Sequence, residues 1–238
     1  MFSLAQQLTF EFADNWQKYN HDDLVVSSSN LAAHKLVMLW PHWSVPVAAI
    51  IGDKGSGKTH FASVWQKISK AQCFSPDKLF DASLAVVDGI NVLVEDLTPL
   101  NFKEDELFHL LNSVSQARSS NPNVSLLITS QTRLSLWSVK LPDLFSRLKT
   151  IIEIYIEHPD DILLRAVLVK LFSDKQIMID NNVLNYIISR MERSLNFAIK
   201  LVNTCDKEAL KKHSKVNKQV VNICLLYTSP SPRDQRGS

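Results

Sequence analysis

The chain has 238 residues, enough to bury a substantial core but too few for more than one large domain or two small ones. Apolar residues make up 45% of it, charged residues 21%, and the net charge is +2, which excludes a disordered chain and a strongly basic nucleic-acid-binding protein. Three distant cysteines without CxxC spacing argue against zinc and disulfides. Because neither a membrane-length apolar run nor the basic-then-apolar order of a signal peptide occurs, we expect a cytoplasmic protein that does not contact membranes.

The first predicted element is a buried strand, Val47–Ile51, which leads into a glycine-rich loop. Three of the chain's five glycines fall within six residues of this loop. The run fits the phosphate-binding pattern G-x-x-x-x-G-K-[ST], the P-loop, at every constrained position. An ordinary glycine-rich turn is the alternative, but the strand before the loop and the helix-forming residues after it favour a P-loop. The predicted nucleotide contacts are Gly52, Asp53, Lys54, Gly55, Ser56, Gly57, Lys58, Thr59 and His60.

The P-loop predicts a site of defined chemistry. Glycine permits the unusual dihedral angles with which successive backbone N–H groups surround phosphates, and the positive end of the following helix points at them. Lys58 would contact the β- and γ-phosphates, and the hydroxyl of Thr59 would bind Mg²⁺. We therefore expect a nucleotide and Mg²⁺ as ligands.

The apolar run Ile90–Val94 predicts a second buried strand, and it ends in the acids Glu95 and Asp96. In P-loop ATPases an acidic pair at this position holds Mg²⁺ and activates water. Two acids that only cap a strand end are the alternative; given the P-loop, we assign Glu95 to the metal and Asp96 to the base. Most such ATPases place Asp first, and the longer Glu95 moves a ligand of Mg²⁺, which demands near-ideal octahedral geometry. We therefore expect weak intrinsic hydrolysis.

Helical and apolar segments alternate after this strand. Glu104–Arg118 carries apolar residues at i, i+3, i+4 and i+7, which predicts a helix that covers one face of a sheet. Val124–Thr129 and Ile151–Ile156 predict further buried parallel strands. Residues 24–157 are therefore predicted to form an α/β domain, with a parallel sheet flanked by helices.

A helical segment of different character follows the last predicted strand. Asp160 is a suitable N-cap for its first helix, and His158-Pro159 marks the predicted domain boundary. Residues 158–222 are predicted to form a small three-helix lid. Each helix has one apolar stripe, and the stripes are Leu164/Val167/Leu168/Leu171, Leu184/Ile187/Ile188/Met191 and Leu195/Ala198/Ile199/Val202.

The end of the chain changes character. Residues 223–238 switch to a low-complexity stretch without helical period, with prolines at Pro230 and Pro232. It resembles a vector- or adapter-derived extension. We therefore predict a non-native tail and assign it no function.

A nucleotide-binding sheet followed by a helical lid resembles the two-part plan of the AAA+ ATPases. In that family the strand that ends at Thr129 carries sensor I, although Thr129 and Ser130 could equally form a turn. Arg147, within Leu141–Leu148, matches the arginine finger that a subunit presents to its neighbour's nucleotide. There its guanidinium would neutralise transition-state charge in trans. A solvent-exposed helix arginine is the alternative.

Arg193 lies at the start of the third lid helix, where a positive side chain opposes the helix dipole. A bound phosphate would explain that position, and Arg193 matches the sensor II arginine of AAA+ proteins. Arg190 is the second candidate for this role. If Arg193 has only a structural role, Glu192 is a nearby salt-bridge partner.

With these residues in place, the chain resembles the DnaA family of AAA+ proteins from about Gln7 to Leu210, and within it most closely the Hda-type regulatory inactivators of DnaA. The Glu-Asp order at Glu95-Asp96 resembles the alphaproteobacterial type of Hda. The stretches that carry the resemblance are Asn30–Ala33, Gly52–Thr59, Val94–Asp96, Leu107–Asn112, Leu141–Leu148, Pro159–Phe172 and Met191–Leu195.

The resemblance also implies contacts for two further segments. Hda-like proteins bind the DNA polymerase sliding clamp through an N-terminal peptide of the form QLSLPL, and the tail at 1–23 contains a similar run with Glu11 in place of proline. An apolar strand packed on its own domain is the alternative. The linker before the first helix would pack on adenine through Leu24 and Val25, with Tyr19 or Trp16 as aromatic alternatives. The predicted clamp contacts are Gln7, Leu8, Phe10 and Phe12.

The resemblance implies a nucleotide-binding regulator of chromosome replication initiation. Tethered to the sliding clamp of DNA polymerase III, it would hold ADP or ATP with Mg²⁺ and present Arg147 to ATP on DnaA. A self-contained ATPase or helicase loader and a DNA-binding initiator relative are the alternatives. The basic stretch 207–218 is too short for a helix-turn-helix domain, so we expect no strong sequence-specific DNA binding. Whether the chain forms a homo-oligomer stays open.

Overall fold

The computed structural model describes residues 24–211 and 215–228. Its strands are β1 Val47–Ile51, β2 Gln72–Phe74, β3 Val92–Val94, β4 Leu126–Ser130 and β5 Ile152–Tyr155. They form one parallel sheet in the order β2-β3-β4-β1-β5. The α-helices are α1 Leu31–Leu39, α2 Lys58–Ser69, α3 Leu79–Val87, α4 Glu104–Ser120, α5 Pro142–Leu148, α6 Asp161–Asp174, α7 Asn181–Ile188, α8 Leu195–Lys211 and α9 Lys218–Thr228.

The prediction of an α/β fold with a parallel sheet is confirmed. The four predicted strands are β1, β3, β4 and β5, and the predicted helix 104–118 is α4. Edge strand β2 was missed because it has only three residues, of which Phe74 alone is buried, so it leaves no pattern in the sequence. Among the described residues, no helix is both long and apolar enough to cross a membrane.

Side chains of β1 alternate between the two faces of the sheet, as its pleat requires. Ala48 and Ile50 pack with α1 and α2 in one core, and Val47, Ala49 and Ile51 pack with α3, α4 and α5 in the other. All five residues of β1 are buried, because helices cover both faces. This interior strand of the sheet is therefore a rigid base for the loop that follows it.

The helices after β5 have a core of their own. Leu164, Leu168 and Phe172 of α6 pack there with apolar residues of α7, α8 and α9. The Asp160 side chain accepts a hydrogen bond from the backbone N–H of Leu163 at 2.7 Å, which confirms the predicted N-cap. We refer to α6–α9 as the lid.

The structure adds a fourth helix to the three predicted for the lid. Helix α9 crosses residue 222, where the tail was predicted to begin, so this position is not a structural boundary. Cys224 is fully buried in the lid core and Leu225 is 8% exposed. The apolar stripe of Val220, Val221, Cys224 and Leu225 crosses residue 222 and so continues the helix into the low-complexity stretch. The non-native origin of that stretch stays a prediction.

Shortening the chain tests whether α9 belongs to the lid. A chain that ends at residue 222 loses Cys224 and Leu225, and we expect its free energy of unfolding to fall by roughly 2–5 kcal/mol, as for other buried leucines that are removed. Urea unfolding followed by circular dichroism measures the change. A chain that ends at residue 228 is the control; equal stability of the two shortened chains would show that α9 contributes nothing.

Candidate nucleotide-binding site

The P-loop lies between β1 and α2, at the carboxyl edge of the sheet. The N–H of Gly52 donates to the carbonyl of Ser130 at 3.2 Å, which ties the loop to the end of β4. Gly55 has φ +83° and Gly57 has φ +105°, left-handed conformations that other residues rarely adopt. Helix α2 begins directly after Gly57, so its positive end faces the loop.

Lys58 folds back over this loop. Its Nζ donates to the carbonyls of Gly52 at 2.8 Å and Asp53 at 3.0 Å. Burial lowers the pKa of the Lys58 ammonium, and three carboxylates, those of Asp96, Asp53 and Glu95, favour its charged form. The lysine is therefore held inside the loop, at the position from which the P-loop pattern has it contact phosphate.

Glu95 follows β3 and reaches Thr59, the first-turn residue of α2. The Thr59 hydroxyl donates a hydrogen bond to the Glu95 carboxylate. Burial raises the pKa of Glu95, the neighbouring Asp96 raises it further, and the bond from Thr59 opposes the rise. The Glu95 Oε1 atom is buried and accepts no hydrogen bond from any described residue.

These two residues fit Mg²⁺. A hydroxyl and a carboxylate are oxygen ligands of the kind that Mg²⁺ prefers, and a buried carboxylate oxygen without a donor is a vacant ligand. The longer side chain of Glu95 does not prevent it from reaching Thr59.

Asp96 adopts a left-handed backbone conformation, with φ +52°. Its N–H donates to the Thr129 Oγ1 at 2.9 Å, and its carbonyl accepts from the Asn101 side chain at 2.9 Å. Thr129 is fully buried, and the Ser130 hydroxyl donates to the carbonyl of Thr132 at 2.9 Å. Both residues therefore shape turns at the carboxyl edge, and Thr129 sets the conformation of the acidic pair.

The lid contacts the P-loop directly. The N–H of Leu195, the first residue of α8, donates to the carbonyl of Gly55 at 3.0 Å. A Cβ atom at Gly55 would lie 2.4 Å from the Ser194 Oγ, so a larger residue there would displace the Ser194 side chain, and the positive φ would strain it as well. The sequence did not reveal this contact, because nothing in the α8 stripe indicates which loop its first turn touches.

Arg193 lies beside this contact, at the junction of the lid and the sheet. Its guanidinium donates to the carbonyl of Pro159 at 3.2 Å and to the Asp161 Oδ1 at 2.7 Å. Its salt-bridge partner is thus Asp161 rather than Glu192, and the side chain is 54% exposed. Arg190 instead lies over the ring of Tyr186, with its Cζ 4.0 Å from the centroid. Arg193 is the better placed of the two sensor II candidates.

The predicted adenine segment lies at the other side of the lid junction. Leu24 is partly buried against the core that contains α1 and α2, and the carbonyl of Val25 accepts from the Asn30 side chain at 3.0 Å. The carbonyl of Ser29 accepts from the N–H of Glu157 at 3.0 Å, which holds this segment beside the end of β5.

Asp53 and His60 flank the P-loop lysine on either side in the sequence. Asp53 pairs with His158, with 3.2 Å between the Asp53 Oδ2 and the His158 Nε2, and thus links the P-loop to the lid junction. Half-buried His60 lies edge-on to the ring of Phe61 in α2. The predicted clamp contacts and the aromatic alternatives lie outside the described residues: Gln7, Leu8, Phe10, Phe12, Trp16 and Tyr19.

Arg147 lies at the opposite end of the sheet. It is exposed near the end of α5 and lines a cavity of about 90 Å³ with Val45–Val47, at the start of β1, whereas the P-loop follows the end of β1. At about 3.3 Å per residue, β1 separates the two by roughly 13 Å. The structure therefore does not bring Arg147 to the chain's own P-loop.

A second cavity lies away from all of these residues. It measures about 540 Å³ and is lined by Gln72–Ser75 of the β2 edge and by α3. No predicted site residue lines it, so the nucleotide site is defined by the P-loop and its neighbours rather than by cavity size.

Comparison with known sequences gives little information about function. No protein-family model matches the chain. An uncharacterized protein from Haemophilus influenzae is 27% identical over 199 residues, which covers 75% of this chain and 82% of that protein.

Comparison with solved structures defines the fold. Domain III of the Thermotoga maritima replication initiation protein DnaA has a TM-score of 0.71 at 17% identity, over 88% of this chain and 96% of that chain. AMPPCP-bound DnaA from Aquifex aeolicus has a TM-score of 0.62 at 16% identity, over 84% and 66%. The Thermotoga maritima RuvB Holliday junction branch migration motor also has a TM-score of 0.62 at 16% identity, over 87% and 71%.

The chain therefore has the fold of these solved AAA+ proteins, a parallel sheet flanked by helices and followed by a helical lid. Within that fold, the sheet and the lid together are similar to those of DnaA.

Replacing Thr129 tests its hold on the acidic pair. Thr129→Val keeps the shape of the side chain but leaves the N–H of Asp96 without its acceptor, so we expect the free energy of unfolding to fall by about 1–3 kcal/mol. Urea unfolding measures the loss. Thr150→Val, at an exposed position, is the control and should stay within about 0.5 kcal/mol of the wild type. Equal losses in both variants would contradict the assignment.

Proposed function

We propose that the chain is a nucleotide-binding AAA+ regulator of replication initiation of the Hda type, which stimulates ATP hydrolysis by DnaA. The observation that carries the nucleotide part is the convergence of Lys58, Thr59 and Glu95 at one end of β1. The regulatory part is supported by the exposed Arg147 at the other end of the sheet, where it cannot serve the chain's own nucleotide.

Each residue of the nucleotide site has a distinct task in this proposal. Lys58 exchanges its loop carbonyls for phosphate oxygens, and the left-handed glycines direct N–H groups at them. Thr59 and Glu95 hold Mg²⁺, which neutralises phosphate charge when it is bound. Asp161 and the Pro159 carbonyl keep Arg193 close to the lid junction, from which it can turn toward phosphate. Leu24 and Val25 offer an apolar edge to adenine.

Nucleotide, in our proposal, acts as a conformational ligand. The lid already contacts the P-loop through Leu195 and Gly55, so a ligand that orders the loop also orders the lid. ADP with Mg²⁺ is sufficient for that task, since no bond of the bound nucleotide has to break. The resemblance to Hda-type proteins favours ADP for the same site.

Lys58→Ala tests the nucleotide site. We expect affinity for ADP and ATP with Mg²⁺ to fall by about tenfold to a hundredfold, because a charge-assisted contact to phosphate is lost. Isothermal titration calorimetry measures the affinity. Lys67→Ala, which removes an exposed lysine from the last turn of α2, away from the predicted nucleotide contacts, is the control and should bind nearly as the wild type does. Equal affinity of both variants would argue against the P-loop assignment.

Arg147 carries the proposed action on DnaA. Its guanidinium is exposed on α5, free of the chain's own P-loop, as an arginine that completes a neighbour's nucleotide site must be. The sliding clamp of DNA polymerase III would bring the two proteins together on DNA through Gln7, Leu8, Phe10 and Phe12. A glutamine and apolar side chains in a short peptide suit a shallow hydrophobic pocket with one polar contact.

Arg147→Ala tests the finger. ATP-loaded DnaA is mixed with the full chain, ADP and clamp loaded on DNA, and conversion of the initiator's ATP to ADP is followed. An arginine finger contributes about 10³–10⁵ in rate in other systems, so we expect stimulation to disappear while affinity for nucleotide is unchanged. Lys149→Ala, two residues further on, is the control cation; its Nζ lies 4.0 Å from the centroid of the Phe145 ring.

The same experiment separates the alternatives. Stimulation that survives Arg147→Ala would remove the finger from the proposal, and stimulation without clamp would remove the tether. The contact between Thr59 and Glu95 favours one rival, a self-contained ATPase, because it supplies a metal site. Rapid ATP turnover by the chain alone, with no effect on DnaA, would support that rival.

A further inference from the structure

The segment that joins β4 to α5 is fastened to the rest of the domain at three points. The Ser135 N–H and hydroxyl donate to the Glu153 carboxylate of β5, at 2.8 and 3.0 Å. The buried ring of Trp137 stacks on Phe102, with 5.4 Å between the centroids. The third point is Glu104, and it lies next to the helix that carries Arg147.

Glu104 is the first residue of α4, and its carboxylate binds backbone groups of the entry to α5. The N–H of Lys140 donates to its Oε1 at 3.0 Å and its Oε2 at 2.9 Å, and the N–H of Leu141 donates to the Oε2 at 2.9 Å. These hydrogen bonds, that of Lys140 first and that of Leu141 second, lower the pKa of Glu104. The carboxylate is therefore ionised at neutral pH and a strong acceptor for both N–H groups.

Helix α5 has little of its own to fix its start. It has seven residues, its N-cap is Leu141, which offers no side-chain acceptor, and Pro142 follows. In a capping box, a glutamate in the first turn accepts from the N-cap N–H of the same helix. Here Glu104 does this from a different helix, and so links α5 to α4.

Apolar packing alone does not fix how far α5 can shift along its own axis. Leu144 and Leu148 are fully buried and determine which face of the helix meets the core. Apolar contacts are not directional, however, so they define the position along the helix axis less sharply than hydrogen bonds do. The bonds to Glu104 fix that position at the start of α5, because their donors, Lys140 and Leu141, lie seven and six residues before Arg147.

Glu104 is itself held on a rigid base. The Asn101 side chain donates to the carbonyl of Asp96, and the N–H of Leu97 donates to the carbonyl of Thr129 at 2.9 Å. The short segment between Asp96 and Glu104 is therefore bonded to the end of β4. A carboxylate on such a base can hold a short helix in place.

We propose that Glu104 is a positioning residue for Arg147: by accepting from Lys140 and Leu141 it sets where α5 presents its arginine. This inference rests on the proposed function for its effect on DnaA. The structural part does not, because it concerns only how α5 is held. The two parts can therefore fail separately.

Glu104→Gln is the test variant. Glutamine keeps the shape and one acceptor oxygen but replaces the other oxygen with an NH₂ group, a donor that faces other donors. Asp105→Asn is the matched control, because it removes one negative charge from the same first turn of α4, at an exposed neighbour. Both variants are made in the full chain.

Amide hydrogen exchange is the first measurement and needs no partner. We expect exchange at Lys140 and Leu141 to become about tenfold faster in Glu104→Gln and to stay unchanged in Asp105→Asn. The urea midpoints of the two variants should agree, so that a general loss of stability is not the cause. Unchanged exchange at both amides would overturn the proposal, whatever the chain does to DnaA.

The second measurement is stimulation of DnaA's ATP hydrolysis, with nucleotide affinity as its companion. We expect Glu104→Gln to lower stimulation by about tenfold with unchanged affinity for ADP, and Asp105→Asn to lower neither. Faster exchange with full stimulation would overturn the link to Arg147. If the wild type does not stimulate DnaA at all, the proposed function fails, and the exchange result still decides whether Glu104 fixes α5.

Discussion

Parallel pairing of β1, β3 and β4 is the constraint on which the candidate site depends. Register joins Ile51 to Ser130 and Val94 to Ile128, so the three strands end at nearly the same level. The P-loop, the acidic pair and the polar end of β4 must then meet at one edge of the sheet, as ligand-binding loops do in open parallel sheets. Residues more than thirty positions apart in the chain, such as Thr59 and Glu95 or Asp96 and Thr129, become neighbours for that reason.

Within the part of the chain that the structure describes, two charged side chains at this edge, Lys58 and Glu95, lack a partner of opposite charge in hydrogen-bond contact, which favours binding of a ligand there. Among the described residues, the Lys58 Nζ donates only to carbonyls of its own loop, and a buried oxygen of Glu95 accepts no hydrogen bond. A buried acceptor without a donor costs stability. A ligand with anionic oxygens and a cation would satisfy both groups at once, and any ligand that binds only the folded state stabilises it. Because the N–H of Leu195 donates to the carbonyl of Gly55, a ligand that stabilises the P-loop would also stabilise the position of the lid.

Much of the fold could be predicted, because it depends on local pattern. The strand before the P-loop and the helix 104–118 follow from apolar runs and a 3.6-residue period. Edge strand β2 and the entry to α9 could not be predicted in the same way, since one is too short and the other continues into a stretch of unusual composition. The P-loop and the acidic pair were identified by residue type. The contacts of Thr129, Ser194 and Glu104 were not, because each joins segments that only the tertiary structure brings together.

The placement of Arg147 and the P-loop at opposite ends of β1 has a consequence for assembly. In a two-fold dimer both subunits use the same patch, so an arginine can serve the partner's nucleotide in both directions only if the two features lie close together. Here the length of a strand separates them. If Arg147 completes a neighbour's nucleotide site as proposed, that contact is head-to-tail, and a row of such molecules has a polarity. A chain that gives its arginine to a neighbour still has its own nucleotide end open to a third molecule.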